Sequence, residues 1–320
     1  MPVNQIDKPG NAPLPGQQDG VLVLNKPKGL TSAKCVALIK RRLGQKKIGH
    51  GGTLDPMATG VLLVLLGQAT KLSGHLMDEG EKIYSGEICL GVVTDTWDAE
   101  GAVLEEHAVP PLENADIVRH MNAFVGSHEQ EVPPYSAAKH EGRPLYELAR
   151  KGVDAPVKKK IVNISRCEAE LVGPERIRFR VACGSGTYIR SLAHSLGKRL
   201  GCGGMLTELT REYSHPFGIE QAHSLDALLD DSEGFAAKVT GVVKALPAWP
   251  GIVLSDKEAA LVRNGVRLPL EGANAALGMR ALLLDSALRA LALAEASLER
   301  PGANNAKHLV WRITRGLWNA

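Results

Sequence analysis

The chain has 320 residues, of which 44% are hydrophobic and 23% charged, and its formal net charge is +3. That length fits one large domain plus a smaller one, and the composition excludes a largely disordered chain. Cys35, Cys89, Cys167, Cys183 and Cys202 stand far apart without C-x-x-C spacing. A disulfide framework and a zinc site are therefore unsupported, and reduced thiols are expected.

Residues 1–19 are polar, carry Pro2, Pro9, Pro13 and Pro15, and lack the apolar core of a signal peptide. They read as a flexible leader. Val21–Leu24 is a branched, apolar strand that stops at the turn Asn25-Lys26-Pro27-Lys28-Gly29. Thr31 and Ser32 offer an N-cap, Val36, Leu38, Ile39 and Leu43 recur at helical spacing, and Gly44 is a stop. This helix and its exit carry Lys34, Lys40, Arg41, Arg42, Lys46 and Lys47 with no acidic residue among them.

The loop Gly49-His50-Gly51-Gly52 leads into Thr53-Leu54-Asp55-Pro56. Val61–Leu66 reads as a buried strand or the start of a buried helix, because so short a run has no decisive period. It is also far too short to cross a bilayer. Ile83–Leu90 reads as a strand, and Thr94–Thr96 and Asp98–Gly101 as loop and turn. From Lys139 to Arg166 the chain is basic again, with Arg143, Arg150, Lys151 and the triplet Lys158-Lys159-Lys160. Ile177, Phe179 and Val181 alternate with Arg178 and Arg180, as in a half-buried strand with a cationic face. A helix is expected to start near Thr187, with Ile189, Leu192, Ala193 and Leu196 on its apolar side.

A mixed stretch from Ser224 to Pro250 marks a domain boundary. Beyond it, Ala281–Asp285 and Arg289–Ala294 have an alanine and leucine content that would suit an amphipathic helix.

Asp55 lies between nearby glycines and a proline. The glycines let another backbone or a sugar-phosphate approach closely. Pro56 disfavours the helical region for Asp55, so the carboxylate projects from extended chain. A lone Asp-Pro is ordinarily only a turn. The whole word GHGGTLDPMATGVL, preceded by VLVLNKPKGLTS, resembles the two leading motifs of the TruB family, bacterial enzymes that make pseudouridine in the T-arm of elongator tRNA. The resemblance continues in order over about residues 20–220. Glu81-Lys82-Ile83-Tyr84 with Leu90-Gly91 and Thr94-Asp95-Thr96 looks like the family's second conserved strand. Pro133-Pro134-Tyr135-Ser136-Ala137 with Lys139, Gly142, Arg143, Leu145 and Tyr146 looks like its RNA-gripping insertion. Gly186-Thr187-Tyr188-Ile189-Arg190-Ser191-Leu192 looks like its late catalytic motif, and Leu209-Thr210-Arg211 stands at its Leu-x-Arg position.

The resemblance implies an α+β fold, with a mixed, largely antiparallel sheet, flanking helices and a central RNA-binding cleft. A small C-terminal β-rich PUA-like domain would follow, with Ala281–Asp285 and Arg289–Ala294 as its paired strands. It implies a catalytic domain over 20–248, with the insertion at about 126–160, and an RNA-binding module over 249–320. It also implies roles. Asp55 is the catalytic carboxylate, Tyr84 stacks on the target base, and Arg190 pairs with Asp55. Tyr188 and Leu209 wall the pocket, and His50 lies near the flipped nucleotide. Lys26 and Pro27 support the active-site loop, while Lys139 and Arg143 grip RNA.

These residue types suit the chemistry. The N1–C1′ bond of a uridine must break, the uracil must turn, and C5 must join C1′. A carboxylate can attack C1′, stabilise charge on the sugar, or deprotonate C2′. An arginine beside it keeps it ionised and oriented. No redox change occurs and no leaving group departs, so neither cofactor nor metal is expected. The expected partner is the tRNA T-arm, with uridine 55 of the T-loop as the target and a cytoplasmic monomer as the form. Two other readings compete. A tRNA-folding chaperone would need none of Asp55, Tyr84 and Arg190. An aspartate-based glycoside hydrolase would need a second carboxyl group, for which Asp95 and Asp98 are available but not tied to Asp55.

Overall fold

The computed structural model of the chain describes residues 17–136, 138–140, 142–150, 158–230, 234–270, 276–299 and 308–318. The leader expected over 1–19 lies outside the described residues as far as residue 16. Gln17, Gln18 and Asp19 are held in place: the amide of Gln17 donates to the Gly44 carbonyl at 3.1 Å, Gln18 N–H to Gln45 at 3.0 Å, and Asp19 accepts from Gln68 N–H at 2.6 Å.

The main sheet begins with β1 (Gly20–Lys26), followed by α1 (Ser32–Leu43), β2 (Ile48–Gly51), β3 (Thr59–Leu66) and β4 (Lys82–Leu90). It continues through β5 (Gly126–Glu131), β6 (Lys159–Gly173), β7 (Arg176–Cys183), α2 (Ile189–Leu200) and β8 (Gly204–Ser214). The strand order is β1-β3-β8-β4-β7-β6-β5. Every neighbouring pair along it is antiparallel except β3 with β8. The expected mixed, largely antiparallel sheet is therefore present, and Val61–Leu66 resolves to strand. β1 and β3 are apolar on both pleated faces because both are covered: Leu22, Leu24, Leu62 and Val64 pack with α1, and Val21, Val23, Val61 and Leu63 face the C-terminal module.

The helices begin and end where local chemistry directs. The Thr31 hydroxyl accepts from Lys34 N–H at 3.1 Å at the start of α1, and Gly44 closes the helix at φ 59°. α2 starts at Ile189, two residues later than expected, because Tyr188 is the extended N-cap residue.

The seam between β3 and β8 positions the site. Their parallel contact is only two residues long, Thr210 opposite Thr59 and Arg211 opposite Gly60. A Cβ at Gly60, whose φ is 97°, would collide with the Arg211 backbone. Only glycine lets the strands touch there. Two half-sheets thus meet at one short crossing, which brings the loop before β3 over the start of β4 and the middle of β8.

The C-terminal sheet holds β9 (Gly251–Val253), β10 (Leu268–Pro269), β11 (Arg280–Leu284), β12 (Ala290–Glu299) and β13 (His308–Gly316), with α3 (Asp256–Arg263) between its first two strands. The β reading holds: Leu282 faces Leu293 and Ala281 faces Ala294 across an antiparallel pair. No helix among the described residues is long and apolar enough to cross a membrane. All five cysteines are free thiols.

Candidate active site

Asp55 opens a turn closed by Ala58 N–H donating to its carbonyl at 3.1 Å. Three neighbours grip this loop. Ser32, the first residue of α1, accepts from Leu54 N–H at 2.9 Å and donates to Leu54 O at 3.1 Å. Lys26, fully buried at the end of β1, donates to the carbonyls of Pro27, Pro56 and Ala58 at 2.9, 3.1 and 2.7 Å. Burial pushes the Lys26 pKa down. From the other side, Arg211 Nη2 donates to the Gly52 carbonyl at 3.2 Å.

The Asp55 side chain remains 34% exposed while that of Arg190 is only 5% exposed. Arg190 holds the carboxylate with both prongs, Nε to Oδ2 at 2.9 Å and Nη2 to Oδ1 at 3.1 Å. Two further donors are fixed by the Thr96 carbonyl and the Tyr135 carbonyl, each at 2.9 Å. Asp98, almost as buried, stands 3.5 Å from Arg190 Nε. The guanidinium thus lies between two carboxylates in a geometry that fixes the orientation of the exposed one. Asp98 cannot act as a free acid or base, since its Oδ1 already accepts from the Thr96 hydroxyl at 2.7 Å and from Glu100 N–H at 3.0 Å. Burial, with Asp98 and Asp55 nearby, raises the pKa of Glu100.

A cavity of about 430 Å³ opens in front of Asp55, lined also by Tyr84, Tyr188, Arg190, Leu209 and Arg211. Tyr84 on β4 lies directly opposite Arg211 on β8, so both side chains share a face and the guanidinium charge stands beside the phenol. Burial raises the Tyr84 pKa and the Arg211 charge opposes that rise, leaving a neutral phenol. Arg211 is 1% exposed, donates from Nε to the Val61 carbonyl at 2.7 Å, and has no carboxylate partner among the described residues. Tyr188 is held at the cavity wall by its N–H donating to Gln130 Oε1 at 2.8 Å.

The structure therefore brings Asp55, Tyr84, Arg190, Tyr188 and Leu209 together, with Lys26 beneath them. His50 lies behind the cavity on β2 and is not part of its lining; burial and then the Arg211 charge lower its pKa. Arg143 is exposed on a small hairpin, Lys139–His140 with Arg143–Pro144. The Lys139 backbone belongs to that hairpin, while its side chain lies outside the described part. Asp98 and Arg211 carry no role in the sequence reading. Only the fold ties them to Arg190 and Tyr84.

Comparison with known proteins gives one class. Residues 40–189 match the TruB family pseudouridylate synthase N-terminal domain. A "tRNA pseudouridine synthase B" of Nitratidesulfovibrio vulgaris is 56% identical, covering 96% of this chain and 99% of that protein. Another, of Oleidesulfovibrio alaskensis, is 56% identical over 95% and 97%. Among solved structures, a Cbf5-Nop10-Gar1 complex contains a chain with a TM-score of 0.71 and 25% identity, covering 97% of this chain and 92% of that one. The fold and the sequence together are those of a pseudouridine synthase. Within that class, the identity over nearly the full length is decisive: the chain belongs to the TruB family.

Proposed function

We propose that this protein isomerises uridine 55 in the T-loop of tRNA to pseudouridine, acting in the cytoplasm as a monomer, with Asp55 as its catalytic carboxylate. The observation that carries this reading is the half-exposed Asp55 carboxylate, clamped by the buried Arg190 and facing a nucleotide-sized cavity. Relatives over nearly the whole length carry the name tRNA pseudouridine synthase B. The target nucleotide flips out of its loop, its ribose meets Asp55, and its uracil lies between Tyr84, Tyr188 and Leu209. The carboxylate stabilises positive charge at C1′ as the N1–C1′ bond breaks. The detached uracil turns against the aromatic wall beside Tyr84, C5 bonds to C1′, and the C5 proton passes to solvent while N1 takes up a proton in exchange. Residues 20–248 form the catalytic unit, 126–160 grip the RNA with Lys139 and Arg143, and 249–320 add a PUA-like RNA-binding surface.

A glycoside hydrolase is disfavoured because the second carboxyl group, Asp98, is locked by Thr96, Glu100 and Arg190. A chaperone without chemistry would have no use for a clamped carboxylate in a cavity. The deciding experiment is Asp55→Asn, read by tritium release from C5-labelled uridine RNA and by RNA binding. Release should vanish while binding stays within about tenfold, or roughly 1.4 kcal/mol. Undiminished release would remove Asp55 from the mechanism, and free uracil as product would restore the hydrolase.

A further inference from the structure

Strand alternation separates the members of the basic triplet at the start of β6. Lys159 faces outward and pairs with Glu129 of β5 at 2.8 Å. Lys160 faces the other way, into the cavity wall beside Ser185, Gly186 and Tyr188. Its ammonium is half-buried, 5.2 Å from the centre of the Tyr188 ring. It packs so closely on Gly186, where φ is 77°, that a Cβ there would occupy its place.

The other cations of this wall all have partners. Arg190 holds Asp55, Arg211 donates to the Val61 and Gly52 carbonyls, and Lys82 donates to the Met77 carbonyl at 2.7 Å. Lys160 has neither a hydrogen-bond acceptor nor a carboxylate in reach among the described residues, and the Tyr188 ring face offsets only part of its lost hydration. A desolvated charge of this kind is completed by an anion that arrives with the ligand. The uracil and the ribose of a uridine are both neutral. The one formal charge the nucleotide carries is on its phosphodiester.

We propose that Lys160 binds the phosphodiester of the nucleotide that Asp55 acts on, making this edge of the cavity a phosphate subsite. The proposal rests on the isomerase reading above. It makes Lys160 a binding residue: the ion pair forms with the flipped nucleotide and is retained unchanged as the glycosidic bond breaks. Its loss is therefore felt in affinity and its salt dependence, and not in the rate at saturation.

The test compares the wild-type full chain with Lys160→Met, Lys160→Arg and Lys159→Met on a synthetic T-arm stem–loop RNA. Affinity is measured across a salt series, and pseudouridine formation in single turnover at saturating RNA. Lys160→Met should flatten the slope of log affinity against log salt by about 0.7–0.9, one phosphate's worth. Lys160→Arg should restore the slope, and Lys159→Met should leave it within a third of that change. The saturated rate of Lys160→Met should stay within threefold of wild type. An unchanged slope with Lys160→Met, or a saturated rate that collapses with the slope intact, overturns the phosphate subsite. Wild-type protein that forms no pseudouridine on this RNA would instead strike at the isomerase reading, so the two failures are distinguishable.

Discussion

Arg211 is the side chain whose environment is hardest to justify by stability alone. Burying a guanidinium without a carboxylate costs several kcal/mol, and its bonds to Val61 and Gly52 return about 1–3 kcal/mol each. Those terms roughly cancel, so the arrangement earns its place through the Tyr84 phenol. The Arg211 charge opposes the rise in the phenol's pKa that burial causes, which keeps the O–H a better proton donor. Arg211→Met should therefore shift the melting temperature by only a few degrees while slowing single-turnover isomerisation at least tenfold, about 1.4 kcal/mol of barrier. A large loss of stability with normal turnover in the surviving folded protein would contradict this assignment. The contrast with Asp55 and Arg190 shows what the sequence can reveal at this scale. Those two lie in words long and ordered enough to resemble a family. Arg211 was visible only as the end of a three-letter word, and Asp98 only as one of two spare acids. Their partners, Tyr84 and Arg190, are 127 and 92 positions away in the numbering, and only strand register and the α2 start make them neighbours.

The loop that presents Asp55 is held by elements on both of its flanks. Lys26 ends β1 and Ser32 begins α1, so the turn between them, Pro27 to Thr31, brackets the loop from below. The Val21–Leu24 strand and the capped helix were readable from apolar runs and cap residues. That their junction supports a loop 30 residues further on was not, because it depends on the β1–β3 pairing. Lys26→Met removes the ammonium that serves three carbonyls around Asp55. Loss of those bonds is opposed by relief of a buried charge, so stability should change by no more than about 2 kcal/mol. The loop itself should loosen. The measurable signs are faster hydrogen exchange at the Ala58 amide, a saturated rate at least tenfold lower, and RNA affinity within threefold of wild type. A Lys26→Met protein with wild-type turnover would mean that Ser32 and Arg211 suffice to position the carboxylate.

Seen as a whole molecule, buried side chains pack across the boundary that composition marks. One buried cluster joins Val21 and Val23 of β1 and Val61, Leu63 and Leu65 of β3 to Leu282 and Leu284 of β11, Leu293 of β12 and Leu317. Polar contacts close the same interface: Lys71 donates to the carbonyls of Gly316 at 2.7 Å and Trp318 at 3.2 Å, and Glu79 accepts from the Trp249 ring N–H at 3.1 Å while pairing with Arg280. The apolar alternation along β1 and β3 signals two covered faces, yet it says nothing about which segment covers the second. The catalytic sheet uses the C-terminal module as its missing layer. Leu282→Ala, a substitution in the module, should then cost about 2–5 kcal/mol and be felt across the interface. In native-state hydrogen exchange the slow amides of β1 should accelerate together with those of β12, because both report one cooperative unit. Acceleration confined to β12, with β1 unmoved, would show two independently stable bodies resting against each other. In that case a chain ending at residue 248 would fold unaided. Joint acceleration instead requires that truncation to expose the outer face of β1 and β3 and to yield an insoluble product.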